Sequence, residues 1–584
     1  MTPPGSFPPG TSFTLAHVPR TTARSQRSMR RFLLLIMTVL SFPPGFSSLS
    51  AETPTKPVST KPVSVESVSV QSVSVESVSV ESVSVESVSV ESVSEESASE
   101  ESASERPNIL FIAIDDLRPG LGCYGDPLAK SPHVDQFARS ARRFDRAYSQ
   151  QAVCGPSRTS LLTGRLPDHT RVWHNRNRFR DIDPDLVTLP QLFREHGYRT
   201  VSLGKVFSGD ERELDPDSWS EPEVLKAAGW KNALLPENQG TGKHAAWEAA
   251  DVDDEAYPDG KLAALAIQRL EEFHREPQPF FLAVGFFKPH LPFNAPRKYW
   301  DLYDPALFEL ASDAGPVTGA PELALHTHRE LGGYRGIPED EQVDTVETRR
   351  LRHGYYACVS YVDAQIGKLL SKLQRLELDR RTIVVLWGDH GFSLGENGRW
   401  CKGTNFERDT RVPLLIRTPG MSSPGAATEA LVQLVDIYPT LAELAGLAPP
   451  GNLDGRSLVR ILNDPQSPGR AVVLSQFNRP WKATTPEQMG YSIRTDTHRY
   501  TRWIDWKTRA TLAEELYDYR AADSVRSLNA HLIEQANVVN DPARAAVRDR
   551  LRQVMDRTIT IPRRLSEPPP SSTPDKKKKK DRSQ

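Results

Sequence analysis

Between Arg106 and about Thr560 the chain alternates short apolar runs with longer amphipathic stretches, and this alternation restricts the folds open to it more than any other feature. The runs Asn108 to Ile114 (NILFIAI), Thr200 to Leu203, Phe280 to Phe286 (FFLAVGF), Ile383 to Trp387 (IVVLW) and Pro413 to Ile416 (PLLI) read as buried strands. Helical stretches fall between them, at Val134 to Arg142, Leu189 to His196, Gly260 to Arg275, Tyr355 to Arg375 and Leu434 to Ala445. Strands alternating with helices predict an α/β fold whose mostly parallel sheet is sandwiched by helices. In such sheets ligand sites gather at the carboxyl ends of the strands. After Gly446 the strands come closer together (Ala471 to Gln476, Gly490 to Arg494, Arg499 to Trp503), which predicts a smaller antiparallel C-terminal subdomain.

Outside that region the composition changes. Arg30 and Arg31 precede the apolar run Phe32 to Phe42, followed by small residues around Ser48 to Ala51, the pattern of an export signal. The run is short for a bilayer span, so membrane attachment is expected only if the signal stays uncleaved. From Val63 to about Glu105 the chain repeats VSVES; a five-residue repeat moves the valines to alternate faces, so it builds no apolar side and reads as a solvated spacer. The expected organisation is an N-terminal extension and signal peptide (1–51), a low-complexity linker (52–105), a catalytic domain (106–447), a C-terminal subdomain (448–562) and a disordered Pro/Lys-rich tail (563–584). The expected location is periplasmic or extracellular. Lys plus Arg (73) and Asp plus Glu (75) nearly cancel, which excludes the basic excess of a nucleic-acid binder. Four cysteines, at 123, 154, 358 and 401, are too few and too scattered for a disulfide framework or a zinc site.

The chemistry-bearing residues sit at strand ends. The first strand runs into Asp115-Asp116, and the Ile383 to Trp387 strand into Gly388-Asp389-His390-Gly391. Carboxylates clustered at the ends of apolar strands repel one another unless a cation is present, and an oxygen-rich set suits Ca²⁺ or Mg²⁺. In Cys154-Gly155-Pro156-Ser157-Arg158, Pro156 fits a helical first turn and Gly164 a helix end, which puts Cys154 at a helix N-terminus, where anions are favoured.

CGPSRTSLLTGR resembles the signature of the type I sulfatases, in which the cysteine of a C-x-P-x-R motif is converted to formylglycine. Gly204-Lys205, Lys288-Pro289-His290, Asp389-His390-Gly391 and Lys402 follow in the family's order, and DDLRPGLGCYGD, FFLAVGFFKPHLPF and GDHGFSLGE are similar to the iduronate-2-sulfatase branch and its bacterial relatives. The resemblance implies an alkaline-phosphatase-like fold, one Ca²⁺ per chain, and Cys154 oxidised to formylglycine (3-oxoalanine) by a formylglycine-generating enzyme. It implies metal ligation by Asp115, Asp116, Asp389, His390 and the modified Cys154. Arg158 and Lys205 would stabilise the hydrated aldehyde, His290 would protonate the leaving oxygen, and Lys402 would share the bridging and sulfate oxygens. The implied substrate is a sulfated saccharide, for which Arg176, Arg178 and Arg180 offer cationic side chains.

One departure stands out. The family's Gly-Lys segment continues to a histidine, whereas GKVFS places Ser208 there, and serine carries no positive charge; His174 and His244 are conceivable substitutes. Two rival functions are a phosphate or phosphonate monoester hydrolase on the same fold and a surface-displayed binding protein that has lost activity.

Overall fold

The computed structural model describes residues 106–559, apart from 209–213, 225–230, 232, 241, 309–314, 326–329 and 521–533. The expected signal, linker and tail lie outside the described residues. The main sheet is made of β1 (Asn108–Ile114), β2 (Arg142–Tyr148), β3 (Arg199–Gly204), β4 (Phe280–Phe286), β5 (Thr382–Gly388), β6 (Arg411–Val412), β7 (Leu414–Arg417) and β8 (Ala427–Gln433). Its order is β6-β2-β7-β5-β1-β4-β3, with β8 also paired to β2. The block β5-β1-β4-β3 is parallel throughout, as is the β2–β8 pair. β7 runs against both β5 and β2, and β6 against β2.

β1, β4 and β5 are buried along their whole length, which is why they read as unbroken apolar runs. Their alternate residues feed two separate cores. Leu110, Ile112 and Ile114 of β1 pack with α4 (Pro258–His274) and α5 (Thr345–Arg375) through Leu262, Ala266, Leu351 and Tyr355. Ile109, Phe111 and Ala113 face the other way, onto α2 (Cys154–Thr163), α3 (Leu189–Glu195) and α6 (Ile437–Leu444) through Leu161, Phe193 and Leu441. α1 (Pro132–Ala138) joins the first of these cores through Val134 and Phe137.

The elements depart from the sequence-based expectation where charge conceals a strand. The stretch expected to be helical to Arg142 ends at Ala138, and Arg142 opens β2, whose sequence RRFDRAY has no apolar periodicity to announce it. Arg142 is nonetheless fully buried, because its guanidinium donates to the carbonyls of Ser423, Ala426, Ser422 and Leu462. α5 begins ten residues before the expected Tyr355: the Asp344 side chain accepts from Glu347 N at 2.8 Å and caps a polar first stretch.

The smaller sheet has β9 (Val473–Arg479), β10 (Gln488–Arg494), β11 (His498–Asp505) and β12 (Thr511–Asp518) in antiparallel sequence order, covered by α7 (Ala545–Thr558). Met489, Ile493, Tyr500 and Leu516 pack with Leu551 and Met555 of α7. Phe477, Trp503 and Tyr517 pack instead with Ala152, Val153 and Phe406, so this sheet leans on the residues just before Cys154.

A buried ion-pair group fastens the two sheets together. Glu407 accepts from Tyr148 of β2 at 2.8 Å, Arg494 of β10 at 3.2 Å and Arg499 of β11 at 2.7 Å. Burial is the largest influence on Glu407 and raises its pKa, but Arg494 and Arg499 outweigh it and bring it to about 2. A carboxylate depressed on folding stabilises fully above its unfolded pKa and loses that contribution as the pH falls through the folded one. Glu407→Gln should therefore cost about 3–5 kcal/mol at pH 7 by taking the carboxylate from the buried Arg494 guanidinium and one of two from Arg499, which keeps Glu534 at 2.9 Å. In urea unfolding curves, the gap between variant and parent should close as the pH is lowered from about 4.5 towards 2.

Candidate active site

Strand register decides which residues meet. Ile114 lies beside both Gly388 and Phe286, so the chain leaves β1, β5 and β4 at one level. Asp115-Asp116, Asp389-His390 and the Phe287 to His290 turn therefore project from one edge, joined by Lys205 just beyond β3. Asp116 takes a left-handed backbone conformation (φ 60), and its carbonyl accepts from Tyr355 of α5 at 2.9 Å. The turn after β4 is held by Asp259 of α4, which accepts from Phe287 N at 2.9 Å and Lys288 N at 2.8 Å.

α2 carries Cys154 to this edge at its first position, as the sequence predicts, and ends at Gly164 (φ 66). Every residue of α2 is buried. Cys154 Sγ lies 3.3 Å from Asp115 Oδ1, 3.3 Å from His390 Nε2 and 3.5 Å from Lys205 Nζ. Ligand atoms of Asp115, Asp116, Cys154 and His390 all fall within 4.8 Å of one another. Asp389 adjoins them: its Oδ1 accepts from Asp116 N at 3.1 Å, and its Oδ2 is 3.6 Å from His390 Nε2. A second group, Asp116, His290 and Glu330, shares Asp116 with the first.

Cations from three directions face the carboxylates. Lys205 Nζ donates to Asp115 at 2.5 Å, Lys402 Nζ to both oxygens of Asp116 at 2.9 Å, and Arg158 to Asp389 at 2.8 Å and Asp115 at 3.2 Å. Burial pushes Asp116 well above the usual carboxylate range despite Lys402. Asp115 is also buried, but Lys205 holds it below that range. Burial opposes the charge on Lys402, yet Asp116 and Glu330 raise its pKa well above the ordinary amine value. Burial and the Asp115 carboxylate push the Cys154 thiol up, so as a thiol it stays protonated.

Residues 107–447 match the family described as Sulfatase, which is more than half of the chain. This chain belongs to that family. Residues 395–560 of the sulfatase also match the description N-sulphoglucosamine sulphohydrolase, C-terminal. It is 36% identical over 509 residues to mouse (Mus musculus) iduronate 2-sulfatase, covering 74% of this chain and 91% of that protein. Among solved structures, a phosphonate monoester hydrolase from Silicibacter pomeroyi superposes with a TM-score of 0.60 at 25% identity, over 77% of this chain and 95% of that one. A protein solved in complex with its substrate D-glucosamine-2-N,6-O-disulfate superposes with a TM-score of 0.59 at 23% identity, over 78% of this chain and 97% of that one. The fold is thus alkaline-phosphatase-like, and the buried Asp-Asp-Cys-His cluster is of the kind found in metal- and formylglycine-dependent sulfatases.

The residues singled out in the sequence converge here, with differences in what they touch. Arg158 sends its guanidinium to Asp115, Asp389 and the carbonyls of Lys205 and Val206. His290 Nε2 lies 3.2 Å from Glu330 and 3.8 Å from Asp116, and its Nδ1 is 2.6 Å from Leu291 O. Glu330, which also pairs with Lys402 at 3.0 Å, escaped sequence inspection because the stretch around it has neither periodicity nor motif. Arg180 is committed to Asp215, Gln191 and the carbonyls of Pro184 and Leu186, so it is a structural residue rather than a polyanion contact. Ser208 Oγ is buried with no hydrogen-bond partner among the described residues, and His244 is exposed.

Backbone contact at one point fixes Lys205. A Cβ on Gly285 of β4 would stand 2.1 Å from Lys205 O, closer than real contacts permit. Gly285→Ala should displace Lys205 from Asp115, cost about 1–3 kcal/mol of stability, and depress sulfatase turnover by more than that loss explains. Thermal unfolding and sulfate release measured on the same preparation separate the two effects.

Proposed function

We propose that this sulfatase removes sulfate from a sulfated saccharide, in the manner of iduronate 2-sulfatase, using a formylglycine at position 154 and one Ca²⁺. The placement of Cys154 Sγ, 3.3 Å from both Asp115 and His390 at the start of a buried helix, carries this proposal. The donor set suits the ion: the buried carboxylates of Asp115 and Asp116 and the His390 imidazole crowd one spot with Cys154, and the Asp389 carboxylate adjoins them. When bound, the ion and the formylglycine supply a Lewis acid for the sulfate and an oxygen nucleophile available at neutral pH.

The chain's own groups do the rest. Asp115, Asp116, Asp389 and His390 would hold the ion, with Arg158 fixing Asp115 and Asp389. Lys205, 3.5 Å from Cys154 Sγ, offsets negative charge building at position 154. His290, whose Nε2 stands 3.2 Å from Glu330, delivers a proton to the departing sugar oxygen; burial, with Lys402, holds its pKa well below the ordinary imidazole value against the pull of Glu330, which makes it a ready proton donor only while that carboxylate is beside it. Lys402 steadies the sulfate and bridging oxygens. The saccharide class draws on the likeness to iduronate 2-sulfatase. Export draws on Arg30-Arg31 and the apolar run after them, and maturation requires a formylglycine-generating enzyme.

The peptide spanning Cys154, purified from cells able to make formylglycine, should show the aldehyde mass, and the protein should release sulfate from a member of a sulfated uronic disaccharide panel. Retained thiol throughout would favour an inactive binding protein. Preferential turnover of a phosphonate monoester with two divalent ions per chain would favour the rival suggested by the phosphonate hydrolase likeness. Chelation should abolish turnover and one equivalent of Ca²⁺ restore it. His290→Ala and Lys402→Ala should each lower kcat about 10²- to 10⁴-fold while calcium stoichiometry, measured by mass spectrometry of metals, stays at one.

A further inference from the structure

His174 is a buried titratable residue that the proposed chemistry leaves unused. It stands in the segment between α2 and α3, and its side chain belongs to a residue only 5% exposed. Its Nδ1 accepts a hydrogen bond from Arg176 N at 3.1 Å. That bond assigns the ring proton of the neutral form to Nε2. Burial, with Arg176 and Lys482 nearby, lowers its pKa to about 4, so at neutral pH Nε2–H is an uncharged donor. Among the described residues this donor has no partner. Buried donors are normally satisfied, and an exception calls for a ligand or another explanation.

The surroundings indicate what the ligand is. The imidazole packs at 5.1 Å against the ring of Trp481, in the turn that follows β9, and Lys482 Nζ lies 5.8 Å from that ring. The next residue, Asn175, accepts from Gly155 N at 2.9 Å, which ties the His174 segment to the residue after Cys154 at the start of α2. A neutral N–H donor, an indole face and the exposed residues Lys482 and Arg176 are therefore grouped on a segment tied to the start of α2. His174 does not stand in for the histidine missing at Ser208: its contacts are Arg176 N and Trp481, and a neutral ring offers no positive charge.

We propose that His174, Trp481 and Lys482 form a substrate subsite that takes an anionic oxygen of the sugar, a carboxylate or a second sulfate, and that His174 Nε2–H orients it. This rests on the proposed sulfatase function, and it makes His174 a specificity residue rather than a catalytic one.

Its test compares the parent protein with His174→Ala, His174→Gln and Lys482→Ala on four substrates: a small uncharged aryl sulfate, a sulfated uronic disaccharide, the same disaccharide with its carboxyl reduced, and one bearing a second sulfate. The ratio of kcat/KM for the uronic substrate over the aryl sulfate should fall about tenfold or more in the two alanine variants, chiefly through KM, with partial recovery in His174→Gln. A fall confined to the carboxylate-bearing substrate assigns the carboxylate, and one confined to the disulfated substrate assigns the sulfate. Equal losses on every substrate, or no loss on any charged sugar, would overturn the proposal. Binding of the desulfated uronic disaccharide and of its disulfated counterpart, read by ligand-observed NMR, needs no turnover. Weaker binding of either by His174→Ala supports the subsite even if no sulfate is released, whereas unchanged binding of both overturns it.

Discussion

Everything at the active edge follows from burying three carboxylates where two parallel strands end side by side. The in-register pairing of β1 with β5 makes Asp115 and Asp389 neighbours, and the left-handed turn at Asp116 brings a third carboxylate in. Charge of one sign in so small a dry volume is costly unless it is answered at once. Arg158, Lys205 and Lys402 answer it, each from a different element: α2, the end of β3 and the loop beyond β5. The helix bearing Arg158 is buried throughout because its charged group has to stand beneath the carboxylates rather than in water.

The smaller sheet is part of that construction and not an appendage. Its inner face packs on Ala152 and Val153, immediately before the reactive helix, and Glu407 fastens two of its strands to Tyr148 of the main sheet. Arg479 at the end of β9 donates to the carbonyls of Leu323, Leu325 and Gly403, which ties the turn at Leu323 to the residue after Lys402.

Much of this was legible in the sequence because the central strands announce themselves. NILFIAI and FFLAVGF coincide with β1 and β4 residue for residue, since burial on both faces demands unbroken apolar runs. CGPSR and GDHG were legible as motifs, and their residues meet in one cluster. What stayed hidden follows other physics. β2 is written in charged residues because Arg142 finds carbonyls, and β8, with the sequence ATEALVQ, sits partly exposed. Glu330 could not be found because it meets His290 and Lys402 across the fold, with no spacing in the sequence to announce it. The commitment of Arg180 to Asp215 could not be separated in sequence from the exposed Arg176 and Arg178 beside it.

The complete burial of α2 also sets an order of events. A protein-modifying enzyme needs to wrap a peptide in its own cleft, and a helix whose every residue is buried, with the smaller sheet packed on the two residues before it, offers it no handle. Any chemistry done to Cys154 by another protein must precede the closing of this shell. The time available is that between the emergence of residue 154 from the ribosome and the docking of a sheet whose last strand ends more than three hundred residues later. Folding speed, rather than affinity for the modifying enzyme, would then limit the fraction of chains that become competent.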